Sequence, residues 1–221
     1  MQLSAEQVAQ YLKERPEFFE EYPGLLADIT VPHPHGGRAI PITERQILSL
    51  REKSRTLEAK LKELVQFGEE NDSISERLHR VTLAMMMARS LESLFHALYF
   101  NLREDFAVPH VALRIFHSGA PELPEFQATR EEVREFAQSL AHPHCGPRQA
   151  LDTLSWFGES GPLLKSFAYV GLRAEKPLGL LILASEDPQR FYSGMGTLYL
   201  KRLGELLSVA LERCLGQGAS D

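Results

Sequence analysis

The sequence predicts an α+β protein in which a small helical head and one long helix precede a mixed domain. Three observations lead to that class. From Thr43 to about Arg89 apolar residues recur at helical spacing with no Gly-Pro break. Near Pro109 the period changes from 3.6 to 2. Two later strand-like runs, Lys165 to Arg173 and Leu178 to Ser185, flank Ala174-Glu175-Lys176-Pro177, which reads as a hairpin connection. The organisation expected is a head and connector over residues 1–42, the long helix over 43–89, the mixed domain over 90–216 and a tail over 217–221.

The head carries two start signals. Ser4 and Gln7 form a capping box ahead of Val8, Tyr11 and Leu12, and Pro16 suits the first turn of a second helix bearing Phe18, Phe19 and Leu25. Val31 to Pro41 is rich in Pro, Gly and His and reads as a connector, with Gly36-Gly37 permitting a turn. The head holds too few apolar residues for a core of its own.

The long helix opens on a second capping box, Thr43 with Gln46, and a hydrophobic staple of Ile42 and Ile47. Ile47, Leu50, Leu57, Leu61 and Leu64 then alternate by three and four, with Ser54 filling the missing step, which is a coiled-coil seam. From Phe67 the stripe resumes in a shifted phase through Asn71, Ile74, Leu78, Val81, Met85 and Ala88, and reads as a stammer. At ~1.5 Å per residue the helix would run roughly 70 Å, more than one small domain needs. The reading is a homodimer whose interface includes Ile47, Leu50, Leu57, Leu61, Leu64, Ile74 and Leu78; the competing one is packing of the seam on the chain's own N-terminal segment. Outward charges of both signs, such as Arg45, Lys53, Lys60, Glu44, Glu58 and Glu69, read as a solvated face.

Composition narrows the classes. The chain has 221 residues and a net charge of −6, which predicts no general attraction to nucleic acid or anionic lipid. No run of 18 apolar residues exists, and Met1 to Gln10 lacks both a basic region and an apolar core, so neither a signal peptide nor a membrane span is expected. Two cysteines, Cys145 and Cys214, make no disulfide framework and fit a reducing, cytoplasmic location.

In the mixed domain, Leu91, Leu94, Phe95, Leu98 and Leu102 form a helical stripe. Val108 to Phe116 reads as a strand with Val111, Leu113 and Ile115 on one face and Ala112, Arg114 and Phe116 on the other. A helix is predicted from Thr129, capped by that residue with Glu132 three later, to Leu140, and a loop over Ala141 to Gly146. Leu178, Leu180, Leu181, Ile182 and Leu183 are apolar on both faces and place their strand centrally in a covered sheet. The closing helix, Ser193 to Leu215, carries Met195, Leu198, Leu203, Leu206, Leu207, Ala210 and Cys214, and Gly216 ends it.

Gly179 to Ser185, then Asp187-Pro188-Gln189-Arg190-Phe191, then the terminal helix, resemble the end of a GAF domain, the small-molecule sensor fold related to PAS. Tyr11-Leu12, Pro16-Glu17-Phe18-Phe19, Pro32-His33, Glu44-Arg45-Gln46, Leu50-Arg51 and Glu70-Asn71 resemble the proteobacterial family called domain of unknown function four-eighty-four, itself GAF-like, over almost the whole chain. The resemblance implies a GAF/PAS-like antiparallel sheet of five or six strands flanked by helices. One helical layer often dimerises, and the opposite face often holds a ligand. It implies no chemistry.

Arg114 stands alone in an apolar strand, where its guanidinium must meet a carboxylate, a phosphate, the sheet rim or solvent. Arg114, Phe116, Cys145, Trp156 and Ser166 form the candidate ligand set; Trp156 and Phe157 offer flat stacking surfaces or core packing, and of Ser166 and Tyr169 at most one shares the face of Arg114. His33 and His35, with His142, His144 and Cys145, have His-x-His spacings, but these lie on loops and are assigned no metal. No cofactor is assigned. No nucleophile-base pair, phosphate loop or catalytic carboxylate pair is found, so an enzyme is not expected. The first functional reading is a dimeric sensor that binds a small molecule and signals in trans to a protein partner, since no output domain follows Leu215. The second is a protein-protein adaptor with an empty or vestigial pocket.

Overall fold

The computed structural model describes residues 4–25, 29–31, 40–117 and 122–217. The chain divides into two compact units, Met1–Glu69 and Glu70–Asp221, and the division falls inside the long helix.

In the first unit, helix α1 (Ala5–Glu14) starts at the predicted capping box: the Ser4 hydroxyl accepts the Gln7 N–H at 3.2 Å, and the Ser4 N–H donates to Gln7 Oε1 at 2.9 Å. Helix α2 (Phe18–Glu21) is a single turn, and Pro16 lies ahead of it instead of within it. The Pro16 carbonyl accepts the Phe19 N–H, so the proline shapes the turn between α1 and α2. Two-residue strands β1 (Thr30–Val31) and β2 (Ile40–Pro41) pair antiparallel and bring the ends of the connector together. The residues between them, His33, His35 and Gly36-Gly37 included, lie outside the described residues, as does the Thr43 side chain of the predicted cap. Helix α3 (Ile42–Met87) follows without interruption. Every residue from Arg45 to Glu69 is exposed. The apolar members of the seam follow suit, with Leu50, Leu57, Leu61 and Leu64 62 to 66% accessible.

In the second unit α3 behaves differently. Leu78, Val81, Met85 and Ala88 are buried in the protomer's own core, and Ile74 is half-buried. The interface role expected of Leu78 and Ile74 is corrected accordingly: Leu78 is core, and Ile74 is largely covered within the protomer. The phase shift after Leu64 is where the apolar stripe turns into the domain, which needs no overwound supercoil. Helix α4 (Leu91–Glu104) begins at Ser90, whose hydroxyl accepts the Ser93 N–H at 3.2 Å, and it buries Leu94, Phe95, Leu98 and Leu102 as the stripe predicts.

Four strands, β3 (His110–Ile115), β4 (His144–Gly146), β5 (Ser166–Arg173) and β6 (Pro177–Ser185), form an antiparallel sheet in the order β3-β6-β5-β4. The resemblance implies five or six; the described residues form four. The β5–β6 hairpin and the central, doubly buried β6 match expectation. Strand β4 occupies the segment read as loop, because three residues are too few to show a period. Helix α5 (Glu131–Ser139) starts two residues late: Thr129 donates to the Gln127 carbonyl, so the expected capping box is not made. Helix α6 (Leu198–Gln217) also starts late, leaves Leu198 exposed, and takes Gly216 into its last turn.

The sheet has two covered faces. On one, α3, α4 and α6 pack over Leu113, Ile115, Ala168, Val170, Leu181 and Leu183. On the other, α5 and a 3₁₀ segment (Leu154–Leu163), kinked at Gly158 with φ +56°, cover Phe167, Tyr169, Leu180 and Ile182. Arg213 of α6 ties the helical layer together: its guanidinium donates to the carbonyls of Met85 at 2.9 Å, Met86 at 2.8 Å and Ala88 at 2.8 Å. Met85 and Met86 lie in the last turn of α3 and Ala88 just past it, and the Met85 carbonyl also accepts the Ala88 N–H at 3.3 Å. Among the described residues no helix is long and apolar enough to cross a membrane.

Candidate functional site

Pairing across the sheet fixes which candidates meet. Arg114 pairs with Leu180 and Ala112 with Ile182, which pairs in turn with Tyr169, so Arg114, Phe116, Tyr169 and Phe167 share the face under α5. Cys145 pairs with Ala168 on the opposite, helical face. Ser166 alternates with Phe167 and also falls there; its hydroxyl donates to the Asp187 carbonyl at 2.6 Å. Two members of the candidate set therefore leave it. Cys145 is a buried core thiol, its pKa pushed up by burial, and Ser166 holds the loop after β6. The hydroxyl on the face of Arg114 belongs to Tyr169, which accepts the Gln149 N–H at 3.2 Å.

Arg114 and Trp156 do come together. The guanidinium lies over the indole at 4.8 Å from the ring centroid, donates to its neighbour Leu113's carbonyl at 3.0 Å and reaches Gln127 Oε1 at 3.3 Å. Burial lowers its pKa, while the charge of Glu125 works the other way. Glu125 is itself buried and accepts the Tyr99 hydroxyl at 2.7 Å. Burial and that bond push the Tyr99 hydroxyl above the ordinary phenol range. Phe116 sits beside Arg134, 5.2 Å from ring centroid to guanidinium. Sequence reading missed Glu125 and Tyr99. The signal lay in Leu123-Pro124-Glu125-Phe126, where an acid sits between large apolar residues.

The face opposite the helical layer is packed with aromatic rings. Phe136 meets Tyr169 edge-on at 5.4 Å, Phe157 meets Phe167 at 6.3 Å, and Phe167 stacks on Tyr169 at 6.0 Å. Open volume lies instead at the β3 edge, where His96, Tyr99, Arg103, His110, Trp156 and Phe157 line a cleft of about 550 Å³. A second groove, of about 640 Å³, runs between α3 and α6. His142 and His144 are exposed, and among the described residues no group of three His, Cys, Asp or Glu is arranged to hold a metal.

Together, the antiparallel sheet under three helices and the packed aromatic face define a mixed α/β domain. This chain belongs to the family described as Protein of unknown function, DUF484, whose model matches residues 1–215. Similar proteins are the uncharacterized protein YigA of Salmonella typhimurium, 25% identical over 214 residues, and that of Shigella flexneri, 26% identical. YigA of Escherichia coli is 25% identical, and in all three cases 93% of this chain and 90% of the relative are covered.

Proposed function

We propose that this protein is a non-catalytic, self-associating interaction module that presents a mixed domain to a protein partner through its long helix. The observation that carries the reading is the exposure of every residue from Arg45 to Glu69, leucine stripe included. A lone amphipathic helix gains little from propensity and gains most from covering its apolar face, so such a stripe marks an association surface. The alternation of three and four supports a coiled-coil homodimer. Packed rings on the sheet face that would hold a ligand in a GAF-like domain favour the adaptor over the sensor.

Sedimentation equilibrium tests this reading. The wild-type chain should sediment as a dimer, and Leu57→Lys with Leu61→Lys should sediment at the mass of one chain with its sheet spectrum intact. A monomeric wild type, or a double variant of unchanged mass, would overturn it. The cleft of about 550 Å³ supports the sensor as a second reading, because Tyr99, Trp156 and Phe157 offer flat surfaces beside Arg103. A native mass spectrum with a small molecule retained at one per chain would favour that reading, and a bare mass would leave the adaptor.

A further inference from the structure

Helix α4 turns two stripes in different directions. Leu94, Phe95, Leu98 and Leu102 enter the core, while His96, Tyr99, Phe100 and Arg103, again three and four apart, line the cleft of about 550 Å³. Trp156 and Phe157 of the 3₁₀ segment line it too, and so does Val111 of β3. The two walls belong to the layers that cover opposite faces of the sheet, and β3 is the edge strand between those layers.

The ladder fixes what this edge offers. Phe116 donates its N–H to the Leu178 carbonyl at 2.7 Å, so alternation turns the backbone groups of Arg114, Ala112 and His110 toward β6 and those of Ile115, Leu113 and Val111 outward. Among the described residues no backbone group pairs with those outward positions. Arg114 occupies the Leu113 carbonyl, and Pro109 has no N–H to give. Val111 is left with an outward donor and acceptor at the cleft.

Another backbone is the natural complement of such an edge. An added strand bonds main chain to main chain and sends alternate side chains to the two faces, here toward α4 and toward Trp156 with Phe157. The aromatic wall suits apolar side chains. On the α4 wall Arg103 is the lining's one full cation and makes no ion pair among the described residues. With His96 and His110 it outnumbers the one acid of the lining, Glu104; His110 also has Glu186 at 3.9 Å. That balance suits a carboxylate. Resting on the adaptor reading above, and naming the partner it leaves open, we infer that the β3 edge takes an extended segment of a partner protein as a fifth strand paired at Val111. The segment carries an acidic residue, turned to Arg103, between two apolar residues turned to Trp156 and Phe157.

Trp156 is the single tryptophan and lines the cleft, so its emission reports occupancy in the full chain. Titration with the blocked peptide acetyl-Ser-Leu-Glu-Leu-Ser-amide should shift that emission along a saturating curve. A peptide with Lys in place of Glu should bind about tenfold more weakly, the scale of one lost charge-assisted hydrogen bond, and Arg103→Glu should reverse the preference. N-methylation of the peptide's main chain should abolish binding. Val111→Pro removes an outward N–H without costing a ladder bond, and should abolish it too. If that variant fails to fold, the N-methylated peptide alone decides the pairing. No saturable shift in a chain that sediments as a dimer would overturn the strand site and leave self-association, and saturation in a monomeric chain would do the reverse. Equal binding of the N-methylated peptide would overturn strand pairing, and equal binding of the lysine peptide would overturn the acidic partner. A small molecule retained at one per chain that blocks the peptide would make the cleft a small-molecule site and overturn the inference.

Discussion

Arg114 is the residue whose role changes most between sequence and structure. An arginine alone in an apolar strand invites an anion, yet here the ring of Trp156, Gln127 and a backbone carbonyl occupy its guanidinium. Because the chain has one tryptophan, its fluorescence reports on this contact directly. Arg114→Ala should shift the emission to the red and lower stability by about 1 kcal/mol, the usual scale of a half-buried cation-π contact. An unchanged spectrum would mean that the guanidinium does not cover the ring in solution. Gly179 gives a sharper case. A Cβ there would lie 2.3 Å from the Arg114 carbonyl oxygen, a backbone atom that moves only if β3 and β6 separate. Gly179→Ala should therefore destabilise the domain by about 3 kcal/mol, at the upper end for overpacking, and denaturant unfolding would read it. A wild-type midpoint would contradict the pairing of Ile115 with Gly179.

Among the elements, what was legible followed length and period. Strand β6 could be read as central because its apolar run has no polar alternation, and α4 because its stripe and its Ser90 start coincide. Ser90→Ala removes the acceptor for the Ser93 N–H and should cost about 1 kcal/mol in a thermal or denaturant melt. No loss would mean that the Ser93 side chain or water fills the role. Strand β4 was illegible because its ladder partner, not its own three residues, makes it a strand. That error put Cys145 on a loop and in the candidate ligand set, when pairing with Ala168 turns it into the core. Thr129 shows the limit of capping rules: its hydroxyl bonds backward to Gln127, and the helix begins after it. In the candidate site, alternation alone put Arg114 and Phe116 on one face, but the choice of Tyr169 over Ser166 needed the register of β5 against β6. Glu125 and Tyr99 lie 26 positions apart and meet only through the fold.

At the scale of the molecule, burial is unevenly distributed. Among the described residues every buried hydrophobic side chain lies at Leu78 or later, so the second unit holds the core while the first exposes its helix. A chain begun at Glu70 should keep one cooperative melting transition with a midpoint within a few degrees of the full protein. Loss of that transition would show that residues 45–69 contribute to folding as well as to association. The Arg213 guanidinium has a mechanical consequence. It is hooked onto three carbonyls at the end of α3 while its own helix lies along β5, so the first and last helices of the second unit share one pivot. Moving the end of α3 away from α6 therefore requires breaking three hydrogen bonds to one guanidinium.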